Sequence, residues 1–272
     1  MKYAVYISFS MLLTVCHAAA DESVTKTEYG KITGSVVLSE LIQPLKPLFD
    51  AGAEIKDREV CGGLDMPDER LVFDAKTGGV ENAFVWISKV EPDDIHPSLR
   101  TPKPSSSSLT FEGCRFRPHV LCVQLAQRFH MVSKDSLAHN PHDYPVRNSP
   151  ACTLLSPAGE KDTSFRHYFR RSESIPIVFK CDYHNWMSAY VLVQDHPYMT
   201  TTACDGSFSI ENLPYGEHRL VIWHEAKGYL FRDLVELDQN QLDLGITEFE
   251  LTDDVRKTLD IRESMANVPP KR

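Results

Sequence analysis

The sequence predicts an all-β protein. Short runs rich in Val, Ile, Phe and Tyr recur along the chain, and several of them alternate apolar with polar residues. Turn-forming residues separate these runs, and helical periodicity is scarce. Of the 272 residues, 42% are hydrophobic and 25% are charged, which fits a globular chain with a core and either one large domain or two modest ones. Many short strands at this spacing favour a β-sandwich architecture.

The predicted strands share a content of β-branched and aromatic residues between turn signals. In order they are KITGSVVL (31–38), NAFVWISKV (82–90), HVLCVQLA (119–126), IPIVFKC (175–181), AYVLVQ (189–194), SFSIENL (207–213), HRLVIWHE (218–225) and TEFELT (247–252). Two stretches have helical signals. The first, 39–51, contains prolines that argue against a long helix; the second, 253–266, begins at Asp, stops before Pro-Pro and predicts a peripheral tail helix.

Two connections stand out by composition. Residues 97–108 are rich in Pro and Ser and predict a linker or an exposed loop. The chain around 133–167 is polar, with His, Asn, Pro, Ser and Asp throughout, and predicts a long loop region. Long loops within compact domains tend to be functional.

The N-terminus predicts a signal peptide over residues 1–20. Lys2 precedes an apolar run, and a small-residue cleavage site ends at Ala20. The mature chain is then exported, periplasmic or secreted, and has no further apolar stretch long enough to span a membrane. A net charge of −9 makes it a poor candidate for binding nucleic acid or an anionic membrane surface.

The cysteines fit an exported protein. The chain has seven, and removal of Cys16 with the signal peptide leaves six. Disulfides persist in oxidising compartments. Pairing does not follow from sequence; Cys61 with Cys114 is the pair that we predict. If Cys181 binds a metal, at least one other cysteine stays unpaired.

The motif with the most distinctive chemistry is the loop CDYHNWM, which lies between two apolar runs. It places Cys181, His184 and Met187 three residues apart. Separately, these are ordinary as a half-cystine, a loop histidine and a core methionine. Together, their types, order and spacing favour a copper site of the kind that combines a thiolate and imidazoles with a weak axial thioether. A second imidazole has to come from elsewhere in the fold.

About 40 residues upstream, a His139-Asn140 pair follows an apolar strand. This arrangement over about 110–195 resembles the cupredoxin family, and the short ligand loop is similar to that of amicyanin-type members, which have an aromatic residue just before the Met. Trp186 holds that position. The resemblance implies one type 1 copper ion bound by His139, Cys181, His184 and Met187, with Asn140 bracing the ligand loop.

A second resemblance covers both flanks of this region. An opening Gly-x-Val strand and a later Asn-Ala-x-Val strand precede the segment MTTTACDGSFSIENLPYGEHRL, which is similar to the carboxypeptidase-regulatory-like, or prealbumin-like, β-sandwich. The matching positions are Thr202, Asp205, Gly206, Phe208, Ile210, Leu213, Pro214 and Gly216. Cys204 departs from the acidic or polar residue usual there.

The two resemblances together imply a Greek-key cupredoxin sandwich inserted in, or packed beside, a prealbumin-like sandwich. The predicted units are 28–95 and 196–252 for the two parts of the prealbumin-like sandwich, 104–195 for the cupredoxin, and 253–272 for a tail. This combination also resembles exported proteins related to methylamine utilisation.

Three further histidines are weaker candidates. His119 lines the copper site or a second metal position, or is a structural residue on a strand. His142 either approaches the metal or faces solvent. His224 lies at the end of a strand and could face the cupredoxin across a domain interface. Strand alternation places it on the opposite face from Trp223 and Glu225.

The predicted function is one-electron transfer with an unknown redox protein partner. In this hypothesis His184 is the partly exposed edge through which electrons pass, and Trp186 belongs to the docking patch. The chain has no His-x-His pair, no Gly-x-Ser-x-Gly, no His-Glu-x-x-His and no phosphate-binding loop, so we expect it not to be an enzyme. The alternatives are a copper-independent carbohydrate-binding or adhesion module, and a protein for copper storage or delivery.

Overall fold

The structure is a computed structural model, which describes residues 28–102, 107–155, 157, 164–167, 169–238 and 241–259. The predicted signal peptide lies outside the described residues, as does the second half of the predicted tail helix. The strands in chain order are β1 (Tyr29–Leu38), β2 (Phe84–Ile87), β3 (Ser107–Phe111), β4 (Phe116–Arg117), β5 (Val120–Gln124), β6 (Phe129–Ser133), β7 (Pro141–Tyr144), β8 (Ser164–His167), β9 (Ile177–Cys181), β10 (Ser188–Gln194), β11 (Met199–Thr201), β12 (Ser207–Pro214), β13 (Gly216–His224), β14 (Gly228–Leu237) and β15 (Gln241–Phe249). The helices are α1 (Arg58–Cys61) and α2 (Asp253–Thr258).

The strands form two β-sandwiches. In the first, a sheet of order β12-β1-β15 faces a sheet of order β11-β2-β13-β14. Ile32 and Phe208 from one sheet and Val85 and Leu220 from the other share one buried core. Burial of these apolar faces supplies the main stabilisation, at about 25 cal/mol for each Å² removed from water.

The second sandwich is built only from β3 to β10, which lie in sequence between β2 and β11. Its sheets have the orders β4-β3-β6-β8 and β5-β10-β9-β7. Phe111 and Phe129 meet Phe179 and Val191 in a separate core. The all-β prediction is confirmed, whereas the residue limits of the predicted units stay predictions.

The two sandwiches pack face to face. Phe84 and Val221 of the first contact Val120 and Leu192 of the second in a third apolar cluster. The facing strands β2, β13 and β10 are therefore covered on both faces, which explains why FVWI and AYVLV are nearly continuous apolar runs.

Three local predictions are corrected. Residues 39–51 contain no helix, because Pro44 and Pro47 interrupt it; instead Phe49 forms an isolated β-bridge with Met66. The predicted linker 97–108 begins with a 3-10 turn at Pro97–Leu99, and β3 starts at its end. The predicted loop 133–167 contains β7 and β8.

In the part of the chain that the structure describes, no helix has the length and apolar character needed to span a bilayer.

Candidate metal centre

The ligand loop is the connection between the antiparallel strands β9 and β10. Cys181 is the last residue of β9, and β10 begins directly after Met187. Two backbone hydrogen bonds close the loop, from Met187 N to the His184 carbonyl (3.0 Å) and from Cys181 N to the Met187 carbonyl (3.4 Å). The sheet therefore fixes both ends of the loop and limits the positions of the side chains between them.

Three predicted donor atoms converge. The Cys181 Sγ lies 3.5 Å from the His184 Nδ1 and 3.9 Å from the His139 Nδ1, and all three atoms are within 4.8 Å of one another. Both histidines are 0% exposed and Cys181 is 2% exposed. Met187, the predicted axial ligand, is buried in the same apolar cluster as Cys181. A soft thiolate and two imidazoles inside a water-poor site form a donor set that suits copper.

Each imidazole is oriented by a carboxylate that the sequence analysis did not single out. The His139 Nε2 lies 2.9 Å from Asp135 Oδ2, and the His184 Nε2 lies 2.9 Å from Asp57 Oδ2. A carboxylate accepts a hydrogen bond, so each Nε2 has the proton and each Nδ1 presents its lone pair to the centre of the site. The tautomers therefore match the needs of a bound ion.

Asp135 is itself fixed by backbone donors. It accepts hydrogen bonds from the amides of Gly113 (2.7 Å) and Cys114 (3.0 Å), and only 7% of it is exposed. Burial alone would raise the pKa of Asp135, but the hydrogen bonds from His139 and these amides lower it. Asp135 is therefore a charged acceptor that holds His139 in place.

The surroundings of Cys181 favour the thiolate. Burial raises the pKa of its thiol, but donation from the Nδ1 atoms of His139 and His184 when these rings are protonated, together with the backbone amide of Asn140, outweighs that effect and lowers it to about 6. The Asn140 amide donates to Cys181 Sγ at 3.5 Å. The Asn140 side chain donates to Asp182 Oδ2 (3.3 Å), and the backbone carbonyl of Asn140 accepts from the backbone amide of Asp182 (3.0 Å). Asn140 thus braces both Cys181 and the residue that follows it.

A segment from the N-terminal part of the chain covers the site. We call residues 49–66 the cap. Besides Asp57, the cap contributes Phe49, whose ring meets that of Trp186 edge to face at 5.1 Å, and Lys56, whose Nζ lies 4.3 Å from the centre of the Tyr183 ring. A disulfide joins Cys61 of the cap to Cys114, the pair predicted from the sequence.

The cap corrects one prediction. His184 was expected to present a partly exposed edge, yet it is 0% exposed because Asp57 and its neighbours lie over it. Asp57 has a left-handed backbone (φ 56°), a conformation that Asp tolerates better than most residues. Trp186 is half-buried, lies beside the His184 ring and donates its indole N–H to the Cys114 carbonyl (3.2 Å).

The three weaker histidines lie outside the convergent group. His119 is buried at the interface between the sandwiches and is hydrogen-bonded to Glu225. His224 does not face the second sandwich, because it packs edge to face on Phe249 in the first core. The predicted alternation of side chains between the two faces of this strand is therefore correct. Glu225, and not His224, contacts the second sandwich. His142 is half-exposed beside Asp182.

No protein-family model and no curated protein matches the chain. Similar solved structures include a copper-containing nitrite reductase from Thermus scotoductus (20% identity, TM-score 0.29), where the match covers 37% of this chain and 25% of that one. A purple cupredoxin from Nitrosopumilus maritimus (16% identity, TM-score 0.26) is matched over 32% of this chain and 98% of its own. Amicyanin from Paracoccus versutus (12% identity, TM-score 0.28) is matched over 40% and 96%. The chain thus spans about a quarter of the length of the reductase. The argument that a metal binds here rests on the converging donor atoms of His139, Cys181 and His184.

Proposed function

We propose that this protein is an exported one-electron carrier with one type 1 copper ion, and that it is not an enzyme. The observation that carries the proposal is the convergence of the Cys181 Sγ with the Nδ1 atoms of His139 and His184 in a fully buried position. Met187 is the proposed axial ligand. A copper ion bound there supplies the electron step by cycling between Cu(I) and Cu(II).

The surrounding residues suit that role because they hold the donors still. Each imidazole is fixed through its Nε2 by a carboxylate, and the loop that contains Cys181 is anchored by two strands. A donor set that moves little between two oxidation states lowers the reorganisation that accompanies electron transfer. Burial of all three donors also keeps water away from the thiolate.

The proposed redox partner docks on the outer surface of the cap. His184 is covered, so a partner cannot contact its imidazole edge while the cap is in place. Asp57 hydrogen-bonds to His184 and its side chain is 42% exposed, so it connects the ligand to the protein surface. The exposed part of Trp186 extends this proposed docking surface.

Copper storage is a second candidate, because it uses the same donors. The cap favours it, since a covered site releases an ion slowly. A fast rate of electron self-exchange between copper-loaded molecules supports the carrier, whereas slow exchange combined with very tight Cu(I) binding supports the store.

The test of the copper site is reconstitution of the mature protein with Cu(II). We expect one copper per chain and the intense visible absorption of a thiolate–Cu(II) bond. Cys181→Ala removes the absorption, whereas Cys204→Ala, which alters an exposed free cysteine, leaves it intact. A colourless wild-type protein without stoichiometric copper contradicts the proposal.

We further propose that the first sandwich is of the carboxypeptidase-regulatory-like type. Thr202, one of the matching positions, is buried, and its hydroxyl donates to the Val80 carbonyl (2.7 Å) and accepts from the Ala83 amide (2.9 Å). Gly206 has φ 80°, and a side chain there would meet the Val36 carbonyl. Both residues therefore have structural reasons to be present in such a motif.

A further inference from the structure

A second group of metal-binding side chains lies beside the first site but shares no donor with it. The donor atoms of His142, Cys152 and Asp182 are within 4.8 Å of one another. The Asp182 Oδ2 is 3.5 Å from the His142 Nδ1 and 3.5 Å from the Cys152 Sγ. All three side chains are at least partly exposed, so an ion can reach them from solvent.

The backbone brings these three residues together. His142 belongs to β7, and an isolated antiparallel bridge pairs it with Cys152. On either side of that bridge, the Asp143 amide donates to the Ala151 carbonyl (3.0 Å) and the Thr153 amide donates to the Pro141 carbonyl (3.1 Å). On its other side β7 pairs with β9, which ends one residue before Asp182. Three neighbouring segments of chain are therefore held in register, and the cluster is more than a chance meeting of surface loops.

The side chains are also held locally. The His142 ring stacks on Tyr144 with centroids 4.4 Å apart, and the Tyr144 hydroxyl lies 3.3 Å from the His142 Nδ1. The Asp182 carboxylate accepts hydrogen bonds from the Asn140 amide group and from the Cys152 thiol. A bound ion replaces the thiol proton, which leaves to solvent, and turns the Tyr144 hydroxyl away from Nδ1.

The donor types select the ion. A thiolate, an imidazole and a carboxylate are the three groups from which Zn²⁺ sites are made. Tetrahedral bonds of about 2.0–2.3 Å place neighbouring donors about 3.3–3.8 Å apart. The two separations of 3.5 Å lie in that range. The exposed side of the cluster leaves room for water as a fourth ligand.

We propose that His142, Cys152 and Asp182 form a second metal site, which binds a borderline divalent ion of the Zn²⁺ class at the protein surface. Asp182 follows Cys181 directly in the chain, and Asn140 is hydrogen-bonded to both. An ion at the second site therefore places positive charge one peptide away from the thiolate of the first site. This proposal does not depend on copper at the first site.

The test uses Zn²⁺ with the full mature chain in a Cys181→Ser/His184→Gln background, which removes two donors of the first site. We expect one Zn²⁺ per chain in a competition titration against a chromogenic chelator. Cys152→Ser and His142→Gln each weaken the affinity by about tenfold or more. Cys204→Ser, at the other well-exposed free cysteine, leaves it unchanged.

A second measurement does not depend on whether the Cys181→Ser/His184→Gln variant folds. Co²⁺ added to the otherwise wild-type protein gives thiolate charge-transfer bands, and we expect Cys152→Ser to remove a share of them that Cys204→Ser retains. The proposal is overturned if Cys152→Ser changes neither the Zn²⁺ affinity in the variant background nor the Co²⁺ bands of the otherwise wild-type protein. A Zn²⁺ stoichiometry that depends on Cys204 also overturns it.

Discussion

Two carboxylates orient the two candidate histidine ligands, but the carboxylates differ in burial. Asp135 is 7% exposed and accepts hydrogen bonds from two backbone amides in addition to the one from His139. The Asp57 side chain is 42% exposed and belongs to the cap. We therefore expect Asp135 to affect mainly the affinity of the site for a metal, and Asp57 to affect mainly the reduction potential of a bound ion.

Asp135→Asn should weaken metal binding. The amide has one acceptor oxygen where the carboxylate has two, so at least one of three donors loses its partner. We expect a loss of about 1–3 kcal/mol in the free energy of unfolding and about 10- to 100-fold in copper affinity. Asp74→Asn is the matched control, because Asp74 also accepts backbone amides, from Lys76 and Thr77, in a turn remote from the site. Equal copper affinities for the two variants would contradict the proposed role.

Asp57→Asn should retain the site but raise its reduction potential. The carboxylate favours the more positive oxidation state of a bound copper ion through His184, and the amide does not. For a half-exposed charge we expect an effect of about 1 kcal/mol, or about 40 mV for one electron, measured by voltammetry. Asp65→Asn removes a charge from the same cap without touching a ligand, since Asp65 accepts from the Ala51 amide. A shift of the same size in that control shows a general charge effect instead.

At the scale of elements, the cap depends on one covalent tether. Cys61 and Cys114 are separated by 53 residues, and their disulfide joins the cap to the second sandwich. Closing a loop of that length stabilises the folded chain by about 4 kcal/mol in the chain-entropy model. The cap also contacts the loop CDYHNWM without a covalent bond, through Phe49 on Trp186 and Asp57 on His184.

Removal of the tether should loosen the cap before it affects the rest of the fold. In Cys61→Ala/Cys114→Ala we expect the free energy of unfolding to fall by up to about 4 kcal/mol. Hydrogen exchange at the Met66 amide, which donates to the Phe49 carbonyl, should accelerate most. Cys204→Ala is the control for loss of a thiol. Unchanged exchange in the cap would mean that non-covalent contacts alone hold it.

The elements also show where sequence reasoning succeeds. Strands buried on both faces, such as β10 and β13, were predicted because their apolar runs are long. By contrast, β7 (PHDY) contains Pro, His and Asp, and its pairing with β9 depends on residues far away in the chain. The candidate donors of CDYHNWM could be picked out because their chemistry is local, whereas Asp57 meets His184 across 127 residues and leaves no local pattern.

In the whole molecule, a buried ionic contact accompanies the apolar interface between the sandwiches. His119 of the second sandwich is hydrogen-bonded to Glu225, which follows β13 of the first. Burial would lower the pKa of His119, but the hydrogen bond and charge of Glu225 and the charge of Glu69 raise it. Tyr190 and His224 also lie near this pair, Arg115 pairs with Glu69 at 3.2 Å, and Arg70 lines the same pocket.

This contact should make stability depend on pH. Since the folded-state pKa of His119 is raised, its contribution is complete below the unfolded value of about 6.5 and is lost as pH rises through the folded value. We expect urea unfolding to show a decline in stability above neutral pH. Glu225→Gln should remove most of that slope and cost up to about 3 kcal/mol near pH 6, because buried His119 then has only the more distant carboxylate of Glu69 (4.0 Å) to offset its charge.

The control for that experiment is Glu112→Gln. Glu112 pairs with Lys134 on the surface, and both side chains are more than half exposed (53% and 57%). Pairs of this kind contribute at most about 1 kcal/mol. A pH slope that persists in Glu225→Gln would assign it to other groups.

The cap has a consequence for the order in which the protein is made. Its residues, 49–66, leave the ribosome ahead of every candidate ligand from His139 to Met187. The cover of the site is therefore present before there is anything to cover, and Cys114, the disulfide partner of Cys61, also precedes every candidate ligand. The candidate ligands thus fold against a cap whose tether can already be in place, so an ion has to enter while they fold or when the cap lifts. Maturation of this protein is thus a question of timing as well as affinity.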